Sequence, residues 1–80
     1  MSTIEIFCMN DCSNCQKLRM LLDKEGIGYE YYNIDESPGD FAEATFRGIM
    51  DLPFPVVYKN GERLEPATPQ EYVNNIKVNI

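Results

Sequence analysis

Three cysteines, Cys8, Cys12 and Cys15, fall within eight residues, and no other cysteine occurs in the 80-residue sequence. Clustered thiols do redox chemistry or hold soft metals, whereas a secreted scaffold spreads an even number of cysteines along the chain to close long loops. Cys12 and Cys15 are two residues apart, a spacing that closes a small disulfide ring. In a cytosolic chain with a βαβ pattern, Cys-x-x-Cys is a redox signature. The attacking species in thiol–disulfide exchange is the thiolate, so the motif needs a place that favours negative charge.

The flanking sequence supplies one. Residues 3–8 are β-branched and aromatic and read as a strand. From Ser13 the apolar period becomes helical, with Cys15, Leu18 and Leu22 on one face and Gly26 as a stop, which predicts a helix over about residues 13–25. Gln16, Lys17, Arg19, Asp23 and Lys24 are expected to cover its exposed side. Cys12 then sits at the helix N-terminus, where unpaired N–H groups and a partial positive charge favour a thiolate. Cys12 is expected to be exposed and to attack. Cys15, on the apolar stripe, is expected to be half-buried and to resolve the mixed disulfide. Asp11 works against the helix terminus, so the Cys12 pKa is expected to fall only modestly below that of a free thiol. Cys8, at a strand end, reads as a small apolar core residue.

Downstream, residues 29–34 predict a second strand, residues 36–40 a loop, and residues 41–48 a short helix burying Ala42, Phe46 and Ile49. Residues 55–58 predict a third strand. Asn60-Gly61 is a hairpin turn signal, because both central positions of that turn need positive φ, and residues 62–64 return. Thr68-Pro69-Gln70-Glu71 carries a cap, a proline at the first helical position and a capping box, with Tyr72, Val73 and Ile76 as the buried stripe. Tyr29, Tyr31 and Tyr32 read as sheet packing. Pro55 opens a strand, where a missing N–H is tolerated. Beside a dithiol, the aromatic Phe54 before it favours a cis bond.

Bulk properties narrow the function. Eighty residues predict one domain, 1–80, with a small core. The net charge of −6, from 13 acidic against 7 basic residues, makes nucleic acid and anionic membrane poor partners. The N-terminus has no basic, apolar, small-residue signal pattern, and no stretch approaches transmembrane length, so a cytosolic location is expected.

The run Phe7-Cys8-Met9-Asn10-Asp11-Cys12-Ser13-Asn14-Cys15, with Phe54-Pro55 downstream, resembles the strand end and active site of the glutaredoxin family of the thioredoxin-fold superfamily, over nearly the whole chain. The resemblance implies an α/β fold of order β-α-β-α-β-β-α, with a four-stranded mixed sheet flanked by helices. It implies a monomeric dithiol–disulfide oxidoreductase that reduces protein or glutathione mixed disulfides. Cys12 and Cys15 would be catalytic, and Asn14, Phe54, Pro55 and Thr68 would bind substrate. The Phe54 backbone would pair with the cysteine moiety of glutathione or with a substrate peptide. Glutathione is the implied reductant, with no tightly bound cofactor. Several positions depart from the family pattern. Met9 replaces the usual lysine, Ser13 the usual proline, Asn14 an aromatic, and Glu65-Pro66 a Gly-Gly pair. The Thr68-Pro69 helix start is closer to the glutaredoxin-like redoxins that serve ribonucleotide reductase and are reduced by thioredoxin reductase.

Other readings of the same thiols are weaker. The Cys8-x-x-x-Cys12-x-x-Cys15 spacing is that of radical S-adenosylmethionine enzymes, but 80 residues cannot enclose their substrate. A zinc site would need a fourth ligand. There is no histidine, so Asp11 would have to serve and one short loop would supply every ligand. An iron–sulfur cluster bridged between two copies through glutathione is the remaining metal reading.

Overall fold

The computed structural model describes residues 3–78. Its elements are β1 (Ile4–Cys8), α1 (Ser13–Lys24), β2 (Glu30–Asn33), α2 (Pro38–Arg47), β3 (Val56–Lys59), β4 (Glu62–Arg63) and α3 (Pro69–Lys77). The strands form one mixed sheet in the order β2-β1-β3-β4. β1 runs parallel to β2 and antiparallel to β3, and β3 turns back into β4. Asn60 and Gly61 both take positive φ, 53° and 83°, as the hairpin turn requires.

Because alternate strand residues face opposite sides, β1 divides the core in two. Ile4, Ile6 and Cys8 point to the face covered by α1 and α3, where Leu18, Leu22, Tyr72, Val73 and Ile76 are buried with them. Phe7 points to the α2 face and meets Ile34, Ala44, Ile49, Val56 and Tyr58. Each helix starts on a side-chain cap. Cys12 caps α1, Ser37 caps α2, and Thr68 and Glu71 form the expected capping box on α3.

The second helix departs from the sequence expectation in start and in facing. Ser37 accepts the Asp40 N–H and Pro38 fills the first turn, so much of the expected loop is helical. Its inward positions are Ala44 and Arg47, while Ala42 is exposed and Phe46 is 87% exposed. An apolar stripe is a poor guide here because the inward position is held by a cation. Arg47 lies over the rings of Phe7, Tyr32 and Tyr58 at 5.0, 5.9 and 4.6 Å and reaches Glu5 on β1 at 3.0 Å and Glu43 at 2.7 Å. Phe7 and Tyr32 stack at 4.3 Å beneath it. Arg19 likewise leaves the exposed side expected for it, lying half-buried with its guanidinium 4.0 Å from the Tyr31 ring centroid.

Arg47 holds the Glu5 carboxyl below its ordinary value of 4.5, chiefly through their hydrogen bond. A carboxyl depressed on folding contributes stability that is complete above its unfolded pKa and is lost as pH falls through the folded value. Arg47→Met should therefore cost about 1.5–3 kcal/mol at neutral pH, the range for hydrogen bonds to charged groups. The deficit should shrink in acid, where Glu5 is protonated in parent and variant alike. Urea unfolding at both pH values checks this; an equal deficit in acid would place the effect in ring packing and not in charge.

Candidate active site

Between β1 and α1 the chain turns through Asp11, whose φ is 58°, a conformation that short polar side chains tolerate. Cys12 follows with extended backbone, φ −104° and ψ 102°, as the N-cap of α1. Its sulfur takes the part usually played by a hydroxyl and accepts the Cys15 N–H at 3.3 Å. The Asn14 N–H also points to it. On its other side the Cys12 thiol donates to the Phe54 carbonyl at 3.7 Å. Cys12 is half-buried, whereas Cys15 is 2% exposed, deeper than the half-burial expected.

Phe54 and Pro55 arrive from the opposite side of the sheet's end. Their peptide bond is cis, and Val56, next in the chain, pairs with Phe7 on β1. The Pro55 carbonyl accepts the buried Tyr72 hydroxyl at 3.3 Å, which anchors the segment to α3. Phe54 packs between the two core clusters. Cys12, Cys15, Asn14, Phe54 and Pro55 are thus brought together, with Asn14 taking part through its backbone and its side chain exposed.

Thr68 is linked to this group through Tyr72, whose N–H donates to the Thr68 carbonyl at 2.9 Å. The structure gives Thr68 a second task. Its N–H donates to the Glu71 carboxylate at 2.9 Å and its hydroxyl accepts the Glu71 N–H at 3.2 Å. The positive end of α3 is therefore already met by the protein's own anion.

A polar cluster that carried no signal in the sequence holds the loop. Asn33, 5% exposed at the end of β2, donates to Asn10 at 3.1 Å and to the Tyr31 hydroxyl at 3.0 Å. Its side-chain oxygen accepts the N–H groups of Asp35 and Glu36 at 2.8 and 3.0 Å. Asp35 in turn accepts the Asn10 N–H at 2.7 Å. Only an amide carries donors and an acceptor on one short side chain, so Asn33 ties the cysteine loop to the turn before α2.

Burial pushes the Cys12 thiol up, the neighbouring Cys15 thiol adds to this, and the N–H groups of Cys15 and Asn14 offset part of it. The net direction is upward, where a modest fall was expected. Packing against Phe54 and the core outweighs the helix terminus, and burial rather than Asp11 opposes the charge. Cys15 is pushed much further up, first by the neighbouring Cys8 thiol and then by burial, against pulls from the Cys12 thiol and the Met9 N–H. Cys12 is thus pushed up the less of the two.

Among the described residues, no three Cys, Asp or Glu side chains converge as a metal site. Among the described residues, no helix is long and apolar enough to cross a membrane.

Alkylation of native protein by iodoacetamide should fall on Cys12, with Cys15 protected. A thiol raised on folding is mostly protonated at neutral pH, so the rate should climb about tenfold per pH unit and level off only above pH 9. Mass-spectrometric labelling kinetics across pH measure this, and a plateau at or below neutrality would show that the helix terminus overrides burial.

The family model described as Glutaredoxin matches residues 4–64, which hold both motif cysteines and the Phe54–Pro55 pair. The chain is similar in structure to glutaredoxin 1 from Francisella tularensis, solved in complex with cacodylate, with a TM-score of 0.68 and 16% identity over 100% of both chains. It is also similar to a glutaredoxin from Archaeoglobus fulgidus, with a TM-score of 0.70 and 18% identity over 96% of this chain and 88% of that one. At these identities the likeness speaks for the fold. No curated protein matches the chain significantly. With the family model spanning β1 through β4 and the paired thiols at the start of α1, the chain belongs to the glutaredoxin family.

Proposed function

We propose that this protein is a dithiol–disulfide oxidoreductase that reduces protein or glutathione mixed disulfides, with Cys12 as nucleophile and Cys15 as resolving thiol. The observation that carries the reading is the placement of the two sulfurs. Cys12 is the half-buried cap of α1 beside the Phe54 carbonyl, and Cys15 is buried one turn behind it.

In the first step the Cys12 thiolate attacks one sulfur of the substrate disulfide. A Cys12–substrate bond forms and the other substrate sulfur leaves as a thiolate that takes up a proton. Cys15 then loses its proton and attacks the Cys12 sulfur. The second substrate thiol departs, and the protein is left with a Cys12–Cys15 disulfide. Two electrons have passed from the dithiol to the substrate. The N–H groups at the start of α1 stabilise Cys12 each time it bears charge, as attacking or leaving group. The backbone around Phe54 and Pro55 lies where it can orient an extended substrate segment against the Cys12 sulfur.

Two equivalents of glutathione would restore the dithiol, and the local charges favour weak binding of it. Glutathione brings two carboxylates. Met9 offers no cation to them, Pro66 has no N–H, Glu65 repels, and the start of α3 is occupied by Glu71. Loss of one charge-assisted contact costs about 1.5–3 kcal/mol, or roughly tenfold to over a hundredfold in affinity. The Thr68–Glu71 closure favours a second reading, a redoxin that passes electrons to ribonucleotide reductase and is re-reduced by a thioredoxin reductase.

Cys12→Ser should abolish disulfide reduction, while Cys15→Ser should still attack and should accumulate mixed disulfides detectable by mass spectrometry. Adducts on Cys15 instead of Cys12 would reverse the roles. Coupled assays with glutathione and with thioredoxin reductase separate the two electron sources. Met9→Lys should lower the Cys12 pKa and raise glutathione-dependent turnover by about tenfold, the effect of one recovered charged contact. Saturation of the parent protein at low glutathione, with no gain in the variant, would sink the charge argument.

A further inference from the structure

The loops at the thiol end of the sheet carry charge of one sign. β1, β2 and β4 end there and β3 begins there, since Cys8 pairs with Asn33, Phe7 with Val56 and Tyr58 with Arg63. The loops that leave or enter this end are residues 9–12, 34–37, 48–55 and 64–68. They contain Asp11, Asp35, Glu36, Asp51 and Glu65, and no lysine or arginine. All five side chains are exposed, and among the described residues none is in an ion pair. Asp35 is fastened to the cysteine loop by the Asn10 N–H at 2.7 Å, and Asp11 adjoins Cys12 in the chain.

The cations lie elsewhere. Lys24 ends α1, Lys77 ends α3 and Lys59 ends β3, all at the opposite end of the sheet. Arg47 is turned inward to Glu5 and Glu43, and Arg19 lies over Tyr31. Lys17 and Arg63 stand on α1 and β4, outside these loops. Without the five loop carboxylates the 13 acidic residues fall to eight, against seven basic ones, so the net charge of −6 is concentrated around the thiols. Between the carboxylates the surface is apolar, with Met9 40% exposed and Leu52 and Phe54 half-buried. Apolar side chains beside the Phe54 carbonyl suit a polypeptide better than a small ion.

We propose that the preferred substrates are disulfides in polypeptide segments rich in lysine and arginine, with Asp11, Asp35, Glu36, Asp51 and Glu65 as specificity-determining residues. The inference rests on the dithiol reading above and names the substrate class for it. These carboxylates take no part in the exchange. They raise the local concentration of a cationic segment at Cys12 and turn away an anionic one, so they act on the rate of capture. Because they are exposed, salt screens them, over about 10 Å at 0.1 M.

The test is single-turnover reduction, by the reduced protein, of three disulfide-bonded peptides of one sequence. Four positions flanking the cystine are all lysine, all glutamine or all glutamate. Each rate is divided by that of the same peptide with dithiothreitol, which removes differences in intrinsic reactivity. At about 10 mM ionic strength the lysine peptide should react at least about tenfold faster than the glutamate peptide, with glutamine between them. At 1 M salt the ratio should fall below about threefold. Asp51→Asn combined with Glu65→Gln should lower the low-salt ratio about threefold. Asp23→Asn combined with Glu62→Gln removes two exposed charges at the far end and should leave the ratio in place. Equal losses from the two pairs would assign the preference to net charge and overturn the role of the loops. Equal rates for the three peptides, or a ratio insensitive to salt, overturn the inference and leave the dithiol reading standing. No reduction of any peptide by folded protein overturns the two together.

Discussion

The arrangement depends on a sulfur serving as a helix cap. The first N–H groups of any α-helix lack intrahelical partners, and the side chain before the helix commonly supplies an acceptor. Cys12 does so for α1 by accepting the Cys15 N–H at 3.3 Å. One contact thereby sets the start of the helix and the position of the Cys12 sulfur relative to Cys15. It also favours charge on Cys12, because the groups that orient the sulfur are donors. The opposing influence is burial against Phe54, which pushes the thiol up.

The cap works only if β1 delivers the loop to the right place, and both faces of the sheet contribute to that. On one face Arg47 bridges Glu5 of β1 to α2 across the stacked rings of Phe7 and Tyr32. At the end of β2, Asn33 holds Asn10 through an amide whose donors and acceptor are both used. On the other face Tyr72 grips the Pro55 carbonyl and so fixes Phe54 beside the Cys12 thiol. These supports are polar and directional. An apolar core alone specifies volume more strictly than orientation.

At α3 the start of the helix is closed by the protein's own side chains. A capping box secures the helix by satisfying two orphan donors reciprocally. Thr68 and Glu71 do this fully, and the same contact places a carboxylate where an incoming anion would be received. The acidic balance of the chain, with Met9 in place of a cation near Cys15, has the same effect at the other side of the site. The fold is that of the family, and these few positions set the charge around the paired thiols.

Local signals read from the sequence were enough to place the dithiol at a helix start, the hairpin at Asn60-Gly61, the α3 capping box and the Tyr72, Val73 and Ile76 stripe. Each depends on neighbours within a few residues, so backbone propensity and side-chain reach decide them. The reading of α2 failed in start and in facing because the inward position there belongs to Arg47. A cation turns inward only when a partner from another strand and aromatic rings wait for it, and no local window contains Glu5, Phe7, Tyr32 and Tyr58 together. The roles of Asn33 and Arg19, the burial of Cys8 and Cys15 in one core, and the balance of burial against helix charge at Cys12 are of the same kind. The sequence by itself determined which thiols are paired by spacing and where the helix that carries them begins. Tertiary structure decided how deeply each sulfur lies and what it touches, because burial and long-range hydrogen bonds exist only once distant segments have met.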